Sequence, residues 1–202
     1  MITRPVGWIA LIAVLISSGC FGTVSRTSYY TLNPAEPESG LAPARTSDQL
    51  VIGLGPLLLP DYLDRPAIVT RIGPNRLAVN EGHRWAGTLQ SEILRVLAAD
   101  LEILTGARSV VVFPWNVALE PDLRFRIDVQ AFEGRRGGKV QLKAAWSLTP
   151  SRSDQPAVRR VTLVEEDARG NDFDDLAAAM GQCLAGLSRQ MAEAVAKAVP
   201  NQ

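Results

Sequence analysis

Apolar and polar positions change their spacing along the chain, and each change predicts an element. Thr27 to Leu32, "TSYYTL", is β-prone. Asn33 to Gln49 is rich in Pro, Ser, Gly and Ala with no apolar period, and reads as a mobile loop over 33–49. Leu50 to Leu54 predicts a short buried strand that ends at Pro56. "PAIVTRIG" and "NRLAVNEG" are β-rich, and Gly73-Pro74-Asn75 between them predicts a turn joining paired strands. From Ala86 the period lengthens. Leu89, Ile93, Val96, Leu97, Leu101 and Leu104 recur at three- and four-residue spacing, the face of a helix that stops near Gly106. "SVVVFP" then predicts a short buried strand ending before Pro114.

The clearest alternation follows. In "LRFRIDVQAFE", Phe125, Ile127, Val129 and Ala131 point one way and Arg126, Asp128 and Gln130 the other. "KVQLKAAWSL" places Val140, Leu142, Ala144, Trp146 and Leu148 on one face, and Gly134 to Gly138 between the two supplies a turn, so a long antiparallel hairpin is expected. "VRRVTLVEE" reads as a third neighbour. Asp172, Asp174 and Asp175 open a last helix, where carboxylates accept from free amides and oppose the dipole. Its stripe is Phe173, Leu176, Ala177, Met180, Leu184, Leu187, Met191 and Val195. The fold class is therefore α/β: a single domain with a mixed β-sheet and a long antiparallel hairpin, packed by two amphipathic helices.

The N-terminus follows another logic. Arg4 precedes an apolar run from Val6 to Ile16, too short for a span that needs about 20 residues. Small residues and Cys20 come next, in "AVLISSGCFG", the pattern of a lipoprotein signal peptide over 1–19. The residue three before the cysteine is Ser17 instead of the usual Leu. Ser17 and Gly19 also suit an ordinary signal peptidase, so a lipidated and an unmodified Cys20 both remain open. Either way export is expected. A tether over 20–26 would reach at most about 25 Å, leaving a domain over 27–202.

Composition narrows the function. Lys+Arg and Asp+Glu are both 21, a balance that disfavours nucleic-acid binding. An apolar content of 47% is ample for a core. With Cys20 at the lipid position, Cys183 has no partner and reads as a buried small hydrophobe on the last helix's stripe. A single histidine, His83, excludes any site that needs two His ligands. No Gly-x-Ser-x-Gly elbow exists, and "GLGP" at 53–56 is no dinucleotide fingerprint. His83 beside Glu81 or Asp61 is a formal general base, but a lone loop histidine is more often a hydrogen-bonding residue. No catalytic residue, metal or cofactor is expected.

One block stands out. "LPDYLDRPAIVTRIGPNRLAVNEGHRWAGTL" gathers Tyr62, Arg65, Arg71, Arg76, Arg84 and Trp85 around short strands. Arg and aromatic residues concentrate at the energetic centres of interfaces, which makes Tyr62, Arg65, Arg84 and Trp85 candidate partner-binding residues. The structural alternative pairs Asp61 or Asp64 with an arginine and uses Trp85 to cap the core. "GRRGGK" divides similarly between a headgroup or partner contact and a solubilising turn.

These motifs carry a resemblance. "YYTL" after the lipobox, "LPDYLDRPAIVTR", "NRL", "HRWAGTLQSEILRVLAADL" and "RFRIDVQAFEG…GKVQLKAAWSL" resemble, in this order, the ABC-type transport auxiliary lipoproteins of the PqiC/YmbA type. The resemblance implies a non-enzymatic lipoprotein that helps maintain membrane integrity, on the periplasmic face of the outer membrane. It implies diacylglycerol and an N-acyl chain such as palmitate on Cys20. It implies an MCE-domain lipid-transport protein as partner, with an ABC permease and ATPase in some systems, and a homo-oligomeric ring. Phe21 after Cys20 fits outer-membrane sorting. The alternative is a periplasmic lipid-binding module that itself carries or accepts phospholipid.

Overall fold

The computed structural model describes residues 26–34, 49–115 and 120–199. Cys20, the signal at 1–19, nearly all of the 20–26 tether and positions 35–48 of the predicted loop lie outside the described residues.

Eight strands and two helices appear among these residues. The strands are β1 (Ser28–Tyr30), β2 (Val51–Leu58), β3 (Ala67–Gly73), β4 (Arg76–Trp85), β5 (Ser109–Val112), β6 (Leu123–Gly134), β7 (Lys139–Pro150) and β8 (Val158–Asp167). The helices are α1 (Leu89–Thr105) and α2 (Phe173–Ala198). They build two sheets, a small one ordered β1-β4-β3 and a large one ordered β5-β2-β6-β7-β8. Both sheets are mixed: β1 runs parallel to β4, and β2 lies parallel to both β5 and β6. The α/β class, the hairpin and the two packed helices match the sequence expectation.

The helices end where their chemistry directs. Thr88 Oγ1 accepts from the Ser91 amide at 3.1 Å and starts α1, and Gly106 closes it at φ +63°, a conformation that favours glycine. Asp172 accepts from the Asp175 amide at 2.7 Å to start α2. That backbone bond holds the Asp172 carboxyl below its usual range, while partial desolvation and the Asp172 carboxylate push Asp175 up. Every residue of the predicted α2 stripe is buried. Gly186 lets α2 lie directly on β8, since a β-carbon there would stand 2.8 Å from Val164 Cγ1. Ser188 on α2 donates to Asp100 on α1 at 2.8 Å, a buried tie that periodicity does not announce.

Three expectations are corrected. The second strand continues past Pro56 to Leu58, because a register break between Leu54 and Leu57 takes the proline, which lacks an N–H, out of the ladder. The fourth strand extends to Trp85, so His83 lies in a strand and not in a loop. Ala131 does not continue the inward row of Phe125, Ile127 and Val129. A bulge between Val129 and Ala131 shifts the phase by one residue, and Phe132 takes the core position instead.

Cys183 is fully buried, its Sγ 3.8 Å from the Val140 carbonyl oxygen. Burial, helped by the nearby Glu166 carboxylate, pushes its thiol up to about 12.

Candidate functional site

The phase shift in β6 has a chemical consequence. Phe132 turns into the core, so Glu133 points to the opposite side, where the small sheet arrives. It is only 1% exposed. Arg71 from β3 donates to its Oε1 through Nη2 at 2.6 Å and Nε at 3.2 Å. Tyr62, from the loop before β3, donates its hydroxyl to Oε2 at 2.7 Å, and the Phe132 amide donates to the same oxygen at 3.0 Å. A buried carboxylate costs several kcal/mol unless its lone pairs are met, and here both oxygens are. Burial first, then the carboxylate it faces, raises the Tyr62 hydroxyl well above its ordinary value, so the phenol stays protonated as a donor. Arg71 Nη1 also reaches the Pro74 carbonyl at 3.0 Å and so fixes the β3–β4 turn. Arg71 of the block is thus held by Glu133, on a strand far along the chain, and not by Asp61 or Asp64.

This geometry divides the four candidate residues. Trp85 is 4% exposed. It faces Leu63, Leu89, Phe132 and Met180 in the core, so it serves packing and no partner reaches its ring. Tyr62 is half-buried, with its hydroxyl committed to Glu133. Arg65 is exposed, and the Arg84 side chain is partly so. The Trp85 amide donates to the Pro66 carbonyl at 2.9 Å, which seats the Arg65 loop against the end of β4. Arg84 Nη2 pairs with Glu81 Oε2 at 3.1 Å, an exposed pair of the kind that contributes little to folding and exchanges readily. Beside Arg84 on the neighbouring strand stands Tyr29, 66% exposed, and on the β3–β4 hairpin Ile72 and Val79 are exposed too. Sequence reading missed Tyr29. Its signal was the doubled "YY", of which only one ring can face the core of a strand.

The other ring, Tyr30, faces inward. Its hydroxyl shares a 2.7 Å hydrogen bond with His83 Nδ1. The His83 ring stacks on Phe173 at 3.7 Å between centroids, and Arg136 lies 5.1 Å from the Phe173 centroid. The histidine thereby locks β1 to β4 and to the start of α2. Glu92 on α1 fastens the next stretch: it accepts from the Leu32 amide at 2.9 Å and from Arg95 at 2.7 Å, and Arg95 also donates to the Leu32 carbonyl.

Among the described residues no group of three or more His, Cys, Asp or Glu could hold a metal ion, and no helix is long and apolar enough to cross a membrane. The void between Leu63, Trp85, Leu89, Phe132 and Met180 has no room for a water molecule. The exposed part of the site comprises Arg65 and, side by side on neighbouring strands, Tyr29 and Arg84.

Comparison with known proteins gives this domain a family. The model of the ABC-type transport auxiliary lipoprotein component matches residues 30–192, and the chain belongs to that family. It is similar to the intermembrane transport lipoproteins PqiC of Escherichia coli (strain K12) and Shigella flexneri. Each is 24% identical over 196 residues, with 95% of this chain and 96% of the relative covered. The same fold occurs in a crystal structure of a Xanthomonas campestris protein, at TM-score 0.68 and 19% identity over 86% of this chain and 95% of that one. It occurs again in the crystal structure of an uncharacterized protein, at TM-score 0.67 and 22% identity over 84% of this chain and 99% of that one. The chain is thus a member of a membrane-associated transport lipoprotein family.

Proposed function

We propose that this protein is a non-enzymatic docking component of an MCE-type intermembrane lipid-transport system, anchored on the periplasmic face of the outer membrane through acyl chains on Cys20. The observation that carries the reading is the family match across residues 30–192, joined to relatives named for intermembrane transport. The lipobox-like "SSGC" and Phe21 support the anchor and its membrane. Two or more acyl chains, each buried methylene contributing about 0.8 kcal/mol, hold a domain stably at a bilayer. Confinement beside a partner raises effective concentration without a stronger interface, and a ring of copies would multiply the contact face around one axis.

Tyr29, Arg65 and Arg84 are the docking residues in this reading, and Tyr62 and Trp85 hold the face in place. The alternative, in which the domain itself carries phospholipid between helix and sheet, finds no room beneath Trp85, where the interior is filled. The test is affinity purification of the tagged full chain from crosslinked membranes, with mass spectrometry of partners and of the N-terminal peptide. Recovery of an MCE-domain protein with a doubly or triply acylated Cys20 is expected. An unmodified Cys20 with no MCE-domain protein recovered contradicts the proposal.

A further inference from the structure

We infer that the open face of the large sheet holds a site for a phosphate ester. Arg126 and Arg159 clamp the phosphate across Ser147, and Asp128 meets a cationic group on the same ligand. The site shares no residue with Tyr29, Arg65 and Arg84 and does not depend on the docking reading.

Strand pairing builds it. Arg126 on β6 stands opposite Ser147 on β7, and Ser147 stands opposite Arg159 on β8. Cross-strand partners share a face of the sheet. For these three it is the face away from the helices, because the alternating Phe125, Ile127 and Leu148 are buried in the core. The two arginines start about 10 Å apart, two strand spacings. Between them the floor is low, made of Ser147 and, one row further, Ala145. The result is an open trough of about 560 Å³, bordered by Arg126, Asp128, Arg159, Arg160 and Val161. That volume lies within the range of small-ligand sites.

The charges in this trough are uncommitted. Arg126 and Arg159 are both exposed, and no ion pair among the described residues uses either one. Arg124, one row before, is by contrast engaged: it donates to the Ser153 carbonyl at 3.4 Å. Guanidinium forks match the oxygens of a phosphate, and the Ser147 hydroxyl is a further donor between the two arginines. A carboxylate is satisfied by one fork. A phosphate has oxygens enough for both arginines and the hydroxyl.

Asp128 selects the rest of the ligand. It follows Arg126 on the same face, about 7 Å along the strand, and it too is exposed and outside every ion pair among the described residues. It opposes a bare anion, whereas an ester that carries an ammonium a few atoms from its phosphate satisfies both charges. Val161, level with Asp128 across Ala145 and 64% exposed, gives the linking carbons an apolar wall. Phosphoethanolamine has this form, either as a free ester or as the head of a phospholipid. An open trough leaves the ligand partly hydrated, so the free ester should bind in the millimolar range.

The test uses the full chain in a non-ionic detergent at constant ionic strength, with two-dimensional NMR of the arginine Nε–H groups. Phosphoethanolamine is titrated, with inorganic phosphate as the comparison. Saturable shifts of the Arg126 and Arg159 signals are expected, about three-fold tighter for the ester. Arg126→Gln and Arg159→Gln should each weaken the ester about five-fold. Arg135→Gln, on the β6–β7 turn, should leave it within about two-fold, since distant surface charges are screened. Asp128→Asn should erase the preference for the ester over inorganic phosphate. All these side chains are on the surface, so thermal melts of the variants should coincide with that of the parent. Lysophosphatidylethanolamine in the micelle separates the two sources. Binding about ten-fold tighter than the free ester at equal headgroup concentration assigns the site to a membrane lipid, and binding no tighter assigns it to a soluble ester. No saturable shift at Arg126 and Arg159 overturns the inference. So does equal weakening by Arg135→Gln, or an ester preference that survives Asp128→Asn.

Discussion

The two faces of β6 solve the same problem in opposite ways. Toward the helices, Phe125, Ile127, Val129 and Phe132 enter a core of apolar side chains that need only volume and contact. Toward the small sheet, Glu133 is equally buried but needs Arg71, Tyr62 and the Phe132 amide, each at hydrogen-bonding distance. The first face tolerates any residue of similar shape. The second is specific to its partners, and it sets how the small sheet that carries Tyr29 and Arg84 is held on the domain.

Substitutions on the two faces should therefore fail differently. Phe125→Ala leaves a cavity in the helix-covered core and should cost about 4 kcal/mol in urea unfolding, with contact to partners lost only through unfolding. Arg71→Leu strands a buried carboxylate and should cost about 3 kcal/mol. Glu133→Gln keeps the shape while removing the charge, and should cost about 1.5 kcal/mol. A double-mutant cycle over Arg71 and Glu133 separates the pair from the penalty of leaving either alone. Tyr62→Phe removes one donor and should cost about 1 kcal/mol, with its readout in the same denaturation curve. Arg65→Glu and Arg84→Glu lie on the surface and should stay within about 0.5 kcal/mol of the parent.

Alkaline pH probes the apolar face in another way. The folded Cys183 thiol is raised from 9.0 to about 12, so the unfolded chain loses its proton first. The stabilisation from the neutral buried thiol is fully present below pH 9 and is lost as pH rises from there toward 12. Cys183→Ala should start lower, because of the cavity, but fall less steeply above pH 9. Parallel slopes for the two proteins in pH-dependent urea melts would contradict the assignment.

Much of this architecture could be read from periodicity. The α1 and α2 stripes, the β7 alternation and the Asp172 start of α2 are local patterns, each set by a few neighbouring residues. Three features could not. The bulge after Val129 is a single-residue change of phase that no residue type marks, so Ala131 read as inward. The partner of Arg71 lies 62 positions away at Glu133, beyond any local window. Trp85 carries the composition of an interface residue, but its place at the end of β4 turns it into the core, while exposed Tyr29 passed as an ordinary strand residue. The arginine-and-aromatic block was thus recognised as unusual, yet its members divide between holding the face and forming it.

That division can be measured directly. A photo-crosslinking amino acid placed in turn at positions 65 and 84, and at 126 on the large sheet as a reference, would be activated in cells carrying the full-length protein. The account predicts adducts with an MCE-domain protein from positions 65 and 84 and none from 126. Adducts from 126 alone, or none from 65 and 84 while the protein remains folded at the membrane, would contradict it.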